Sequence, residues 1–197
     1  VEEQAIEHTV GLGESAFYGP KLDFMAVDSL GRQWQLGTIQ VDFSLPEKFG
    51  LEFKGTDGAG HRPVMIHRAI FGSIERFMGL LIEHFAGAFP VWLAPEQARL
   101  MPITDSQMEY CENVLRKLKD RNIRASIDRH PDKIGAKIRR ARLDRVPYLL
   151  VVGEKEVEAG AIAVRSRHKG EEGAIPVDTL VNRIDEESRE RVLTVSS

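Results

Sequence analysis

The sequence predicts an α+β region followed by an α/β module, in a chain of 197 residues. Three observations carry that expectation. Residues 21–45 read as two strand-like runs around a tight turn, the pattern of an antiparallel hairpin. Residues 74–85 repeat apolar side chains at helical spacing. Beyond Pro90 strand and helix patterns alternate around a continuous apolar run, 147–152, typical of a central strand covered on both sides.

In the first region, KLDFMAVD is strand-like, Ser29-Leu30-Gly31 is a turn, and RQWQLGTIQVDFSL returns as the second strand. Period-two alternation puts Thr38, Gln40 and Asp42 on one face. Gln35 has the opposite parity, but Gly37 marks a bulge that would bring it round. Thr56 to Gly60 is a loop, and Val64 to Ala69 is a short strand. From Ile74 the apolar residues fall at Ile74, Phe77, Met78, Leu81, Ile82 and Phe85, the stripe of a buried helix. Gly72-Ser73 supplies its N-cap, the helix fades at Gly87, and Pro90 enforces the stop.

A boundary falls near Phe89-Pro90, giving expected domains of 1–90 and 91–197. In the second, Ala98 to Met101 is a strand. Thr104-Asp105-Ser106 is a capping cluster, with Glu109 three residues beyond Ser106 as in a capping box. Met108, Cys111, Val114, Leu115 and Leu118 form the next helix stripe. Ile123 to Ile127 is a strand, Lys133 to Leu143 a basic helix with Ile134, Ile138 and Ala141 as its apolar face, and Ala161 to Arg165 another strand. Val177 to Arg191 closes the module as a helix. About 100 residues arranged this way match the usual domain size.

Composition narrows the class. Hydrophobic residues make up 42% and charged residues 29%, a balance that suits a globular chain and argues against a disordered one. No apolar run approaches the ~20 residues of a membrane span, and residues 1–9 lack the pattern of a signal peptide. A single cysteine, Cys111, excludes an internal disulfide and a cysteine-rich zinc module. Its place on a helix stripe predicts a reduced core thiol, in keeping with a cytoplasmic setting. The chain opens at Val1 rather than at methionine, as a piece of a longer or processed protein would.

The net charge of −3 hides an asymmetry. Between Arg116 and Arg145 stand twelve Lys/Arg against four Asp, a local +8 that leaves −11 for the rest. A basic zone in an acidic chain points to a polyanion partner for that zone. A second electrostatic anomaly is Arg76. It sits in the first turn of its helix, where the macrodipole favours anions. Two readings are open: a solvated arginine or one paired with Glu75 or Glu83, and an arginine that meets an anion, such as a phosphate chain, in front of the helix.

The motifs resemble a known family. The runs are Ala16-Phe17-Tyr18-Gly19-Pro20-Lys21, Gln35 with Gly37-Thr38-Ile39-Gln40-Val41-Asp42-Phe43, and Pro63-Val64-Met65-Ile66-His67-Arg68-Ala69. They continue as Gly72-Ser73-Ile74-Glu75-Arg76-Phe77, Ile103-Thr104-Asp105-Ser106-Gln107 and Arg145-Val146-Pro147-Tyr148. With continuous spacing over nearly the whole chain, these resemble the C-terminal portion of the threonyl-tRNA synthetases, which are class II aminoacyl-tRNA synthetases. The resemblance implies a partial antiparallel-sheet catalytic domain, with the third class II motif at 63–77, followed by a mixed-sheet α/β anticodon-binding domain.

The resemblance also implies roles. Arg76 matches the position that contacts the ATP phosphates. Lys21, Gln35, Thr38 and Gln40 match residues lining the adenylate and threonine pocket, with Ser73 at the ATP-binding helix start and Tyr18 and Asp42 at nearby pocket positions. Arg76, Lys21 and Gln40 are the expected catalytic positions. No side chain looks like a general base, so catalysis would rest on positioning and charge stabilisation. His67 matches one of three ligands to an active-site zinc that binds the amino and hydroxyl groups of threonine. The other two, a cysteine and a histidine, lie upstream in the family; Cys111, His61 and His84 do not match them. The first two class II motifs are also missing. In the second domain Arg139, Glu156 and Arg165 match anticodon-contacting positions, while the family often has asparagine where Pro131 stands. Lys133, Lys137, Arg140 and Arg142 are expected to meet tRNA phosphate.

The implied whole protein joins threonine to its tRNA using ATP, Mg2+ and Zn2+, as a homodimer in the family, with no membrane association. The present chain is expected to be an incomplete, inactive fragment. A non-catalytic tRNA- or RNA-binding protein derived from a synthetase is the alternative, and another synthetase of the same subclass a third.

Overall fold

The computed structural model describes residues 7–193. The chain divides into two compact units, Val1–His84 and Phe85–Ser197, so the division falls six residues before Pro90.

In the first unit, strands β1 (Lys21–Val27) and β2 (Gln33–Asp42) form the expected hairpin. Helix α1 (Ser44–Lys48) follows β2. The sequence reading had run the strand on through Ser44-Leu45, but the Asp42 carboxylate accepts the Ser44 and Leu45 N–H groups at 2.8 and 2.9 Å and turns the chain into a helix there. A small hairpin, β3 (Phe53–Lys54) and β4 (Gly60–His61), leads to β5 (Met65–Ala69). The sheet has the order β1-β2-β5 and is antiparallel throughout. Helix α2 (Ile74–Phe85) completes the unit.

The buried helix stripe is not realised. No residue of α2 is buried; Ile74, Met78 and Ile82 are about half exposed. An apolar stripe is buried only when a second layer covers it, and the described residues of this unit present a single three-stranded sheet. Among them only Gly37, Asp42 and Pro46 are buried.

The second unit is built around a five-stranded mixed sheet of order β10-β9-β8-β6-β7. In chain order it runs β6 (Ala98–Pro102), α3 (Met108–Asp120), β7 (Ala125–Ile127), α4 (Ile134–Leu143), β8 (Tyr148–Val152), α5 (Glu154–Ala159), β9 (Ala161–Ser166), β10 (Gly170–Pro176) and α6 (Val177–Arg189). Strand β6 pairs in parallel with β7 and β8, while β8–β9 and β9–β10 are antiparallel. The continuous apolar run explains itself: Tyr148, Leu150 and Val152 pack with Cys111, Val114 and Leu118 of α3 and Leu180, Val181 and Ile184 of α6. Leu149 and Val151, of opposite parity, meet Ile134, Ile138 and Ala141 of α4 on the other face. Cys111 is fully buried, and desolvation pushes its thiol up to about 11, so it is an unreactive core group.

The capping box lies two residues earlier than Ser106–Glu109. A short 3-10 turn, Asp105–Gln107, precedes α3, and the Thr104 N–H donates to Gln107 Oε1 at 2.9 Å. Strand β10 and helix α5 had no periodic signal: β10 carries two glycines, bulges between Glu171 and Gly173, and ends at Pro176, as an edge strand can.

Candidate functional site

Strand register builds a polar row on one face of the β1-β2-β5 sheet. Lys21 pairs with Gln40, Asp23 with Thr38, and Gln40 in turn with His67. The bulge anticipated at Gly37 is present. Phe24 pairs with Gly37 but Met25 pairs with Gln35, so Leu36 is skipped. That slip brings Gln35 onto the row: its Nε2 donates to Asp23 Oδ1 at 2.7 Å and to Thr38 Oγ1 at 2.9 Å. Thr38 also donates to Asp23 Oδ1 at 2.7 Å.

Lys21 Nζ lies 2.6 Å from Asp23 Oδ2. The Lys21 hydrogen bond holds the Asp23 carboxyl below its ordinary value, and the same bond raises Lys21. An incoming phosphate would therefore compete with Asp23 for this ammonium. Sequence reasoning missed Asp23. The signal was present: it lies two residues from Lys21 on the same face of the strand.

At the other end, a cleft of about 400 Å³ is lined by Phe17, Tyr18, Gln40, Asp42, Ser44, Leu45, Lys48 and His67. Tyr18 Oη donates to Gln40 Oε1 at 3.2 Å. Gly19 sets this approach: at φ +156° a Cβ there would lie 2.1 Å from the Val41 carbonyl oxygen. Asp42 is buried, which pushes its carboxyl up, but the Leu45 and Ser44 N–H groups and His67 outweigh burial and hold it below the ordinary range. His67 Nε2 stands 2.9 Å from Asp42 Oδ2. Among the described residues no three His, Cys, Asp or Glu side chains converge as a metal site. His67 and Asp42 alone do not meet the four-ligand demand of zinc.

The start of α2 is seated on the β2 bulge. Gly72, at φ +64°, packs its Cα where a Cβ would be 2.9 Å from the Leu36 carbonyl oxygen. Ser73 caps the helix, accepting the Arg76 N–H at its Oγ (3.3 Å). Arg76 is exposed. Both carboxylates considered as its partners are engaged elsewhere: Glu75 accepts from Ser73 Oγ at 2.7 Å, and Glu83 is bound by Arg32 at 2.9 Å. The Arg76 guanidinium instead lies over the Trp34 ring, 5.6 Å from its centroid. Trp34 has the opposite strand parity to Gln35, so its ring, with Arg76 over it, lies on the other face of the sheet from the polar row.

In the second unit Arg139, Arg142 and Arg145 line a groove of about 400 Å³ on α4. Arg165 pairs in register with Leu149, on the sheet face that α4 covers, and its guanidinium binds Glu171 at 2.9 Å. Glu156 Oε2 accepts the Gly153 N–H at 2.9 Å, so one carboxylate oxygen caps α5. Lys133 is exposed at the start of α4. One of the phosphate-contact expectations needs correction. Lys137 is 5% exposed and donates to the Pro102 and Asp128 carbonyl oxygens at 3.1 and 3.3 Å, which takes its ammonium out of reach of a backbone phosphate. Arg140 is paired with Asp128 and Asp132 at 2.8 and 2.9 Å and keeps about a third of its side chain exposed, so a phosphate there would compete with these carboxylates.

Comparison with known proteins matches each unit to a family. The tRNA synthetase class II core domain (G, H, P, S and T) matches residues 1–85, and the anticodon binding domain matches residues 97–187. The chain thus carries class II aminoacyl-tRNA synthetase sequence along nearly its full length, with the antiparallel sheet and mixed-sheet module that the class predicts.

Within that class its relatives include threonine–tRNA ligases. It is 51% identical to the threonine–tRNA ligase of Desulforamulus reducens over 98% of this chain and 30% of that one. It is 55% identical to that of Clostridium botulinum over 94% of this chain and 29% of the relative. The chain therefore spans about 30% of the length of these relatives. The RNA binding domain of threonyl-tRNA synthetase from Cryptosporidium parvum superposes with TM-score 0.86 at 37% identity, covering 94% of this chain and 47% of that structure. Prolyl-tRNA synthetase from the same organism shares the fold, with TM-score 0.63 at 23% identity over 91% of this chain and 43% of that one.

Proposed function

We propose that the protein to which this chain belongs ligates threonine to its tRNA with ATP, and that this chain supplies part of the adenylate pocket and the anticodon-binding module. One observation carries the reading. Strand register and one bulge place Lys21, Gln35, Thr38, Gln40, Asp42 and His67 in a single row on one face of the sheet. Amides, a hydroxyl and a lysine suit the orientation of an adenylate and an amino acid. A capped helix N-terminus with a free guanidinium suits a phosphate chain. Mg2+ accompanies ATP in this chemistry and offsets charge on the phosphates.

In the adenylate step the threonine carboxylate attacks the α-phosphate and pyrophosphate leaves. Lys21 and Gln40 orient the reacting groups, Gln35, Thr38 and Ser73 bound the nucleotide side, and Tyr18 and Asp42 shape the far end of the pocket. Arg76 stabilises charge on the phosphates. His67 contributes one ligand of a zinc site whose remaining ligands lie outside the described residues. Arg139, Glu156 and Arg165 contact the anticodon, and Lys133, Arg140 and Arg142 the tRNA backbone. The homodimer and the cytoplasm belong to the same proposal; no helix among the described residues is long and apolar enough to cross a membrane.

ATP–pyrophosphate exchange with threonine tests the reading. In the full-length protein Arg76→Ala lowers exchange about a hundredfold or more, the scale for losing a charge-stabilising donor, and unchanged exchange refutes the role of Arg76. These 197 residues alone give no exchange, because the first two class II motifs are not among them. The second reading, a non-catalytic RNA-binding protein, is favoured by the self-contained core of residues 85–197. Absence of threonine activation by the longer gene product, with tRNA binding retained, selects it.

A further inference from the structure

We propose that Lys137 is a positioning residue for Arg140: its buried ammonium is the standing counter-charge of Asp128, and so lets the Arg140 guanidinium turn from that carboxylate to a tRNA phosphate. The inference rests on the reading of Arg140 given above.

The three side chains form one cluster. Asp128 follows β7, and its side chain is only 2% exposed. Its carboxylate accepts the His130 N–H at 3.0 Å, and Arg140 Nη2 donates to both of its oxygens, at 2.8 and 3.1 Å. Arg140 stands three residues beyond Lys137, on the same side of α4. Its guanidinium is the outer cation of the cluster, with the side chain 34% exposed, and it also binds Asp132, which is 44% exposed. Lys137 is the inner cation. Its Nζ spends two of its three donors on the Pro102 and Asp128 carbonyl oxygens. Burial pushes the Asp128 carboxyl up, but Arg140, the His130 N–H and the charge of Lys137 outweigh it and hold the carboxyl below its ordinary value.

Two cations therefore share one buried carboxylate, and only the outer one can reach an RNA. A buried carboxylate that loses its sole cation is left uncompensated, which is strongly unfavourable. Were Arg140 alone, moving to a phosphate would carry that cost. With Lys137 pinned by two backbone carbonyls, Asp128 keeps a nearby cation and the His130 N–H after Arg140 leaves. Asp132 is largely in water and needs no replacement.

The test uses the full-length protein and a threonine-specific tRNA, with Kd measured over a series of salt concentrations. Each phosphate contact adds about 0.7–0.9 to the slope of log affinity against log salt. Arg140→Gln lowers that slope by about one contact, and Lys137→Met lowers it equally although residue 137 never meets the RNA. The double variant is no worse than either single one. Asp128→Asn removes the charge that has to be balanced, so by itself it keeps the parental slope, and it restores that slope to Lys137→Met. A Lys137→Met protein that binds more weakly with its slope intact has lost only packing, and the proposal is overturned. Should Lys137→Met fail to fold, Asp128→Asn decides: a lowered slope means that the carboxylate itself presents Arg140 to the RNA, and the proposal falls. Arg140→Gln separates the two layers of argument. If it lowers the slope while Lys137→Met does not, the reading of Arg140 stands and the positioning role falls. If it leaves the slope unchanged, both fall.

Discussion

Residues 85–193 enclose a core on both faces of a five-stranded sheet, while residues 7–84 bury one glycine, one proline and one aspartate around three strands. Yet it is the thin unit that carries the polar row. The contrast teaches that a binding floor can be laid out by strand register alone. The polar side chains of the row are placed by the backbone ladder and by hydrogen bonds to their neighbours, over apolar residues that are only partly buried. Stability and chemistry are thereby divided between the two regions.

Several substitutions break or sharpen that contrast. The largest effect is expected from Leu150→Ala, which empties a fully buried site in the central strand and costs about 3 kcal/mol in denaturant unfolding of the second unit. Ile82→Ala, at a position 49% exposed, costs under about 1 kcal/mol. Equal losses would mean that α2 is covered in solution. A smaller, more pointed comparison pairs two glutamines. Gln97 is buried and bonds Val91 O, Ser188 Oγ and the Arg124 N–H, so Gln97→Leu strands these groups and costs about 2 kcal/mol. Gln40→Leu, in the polar row, changes stability by less than about 0.5 kcal/mol and acts on ligand binding instead.

The smallest effect is a pH dependence of the second unit. The Arg183 hydrogen bond holds Glu172 below its ordinary value of 4.5. A carboxylate depressed on folding contributes stability above its unfolded value, and that contribution is lost as pH falls through the lower folded value. The urea midpoint of the second unit therefore declines in acid, and Glu172→Gln flattens that decline. An unchanged slope would remove Glu172 from the account.

Much of this was legible beforehand. Alternation in Thr38-Ile39-Gln40-Val41-Asp42 and the glycine at 37 were enough to place Gln35 with Thr38, because strand parity and a bulge are local rules. The run Tyr148–Val152 disclosed its burial on both faces for the same reason. What stayed hidden depended on partners distant in sequence. Lys137 reads as one more cation on a basic helix, and only the approach of the Pro102 and Asp128 carbonyl oxygens makes it a buried anchor. Arg140 likewise meets Asp128, a carboxylate that no helix periodicity pairs with it. The stripe of α2 was read correctly as apolar and wrongly as buried, since burial belongs to the covering layer and not to the helix.

By itself the sequence determined the order of most elements, the side of each strand that is polar, and the motifs that tie this chain to the class II synthetases. Those follow from backbone periodicity and from residue identity, which act over a few positions. Tertiary structure alone decided which charges are free and which are spent. That depends on distances between side chains brought together from far along the chain, as where Glu83 goes to Arg32 and leaves Arg76 to the face of Trp34.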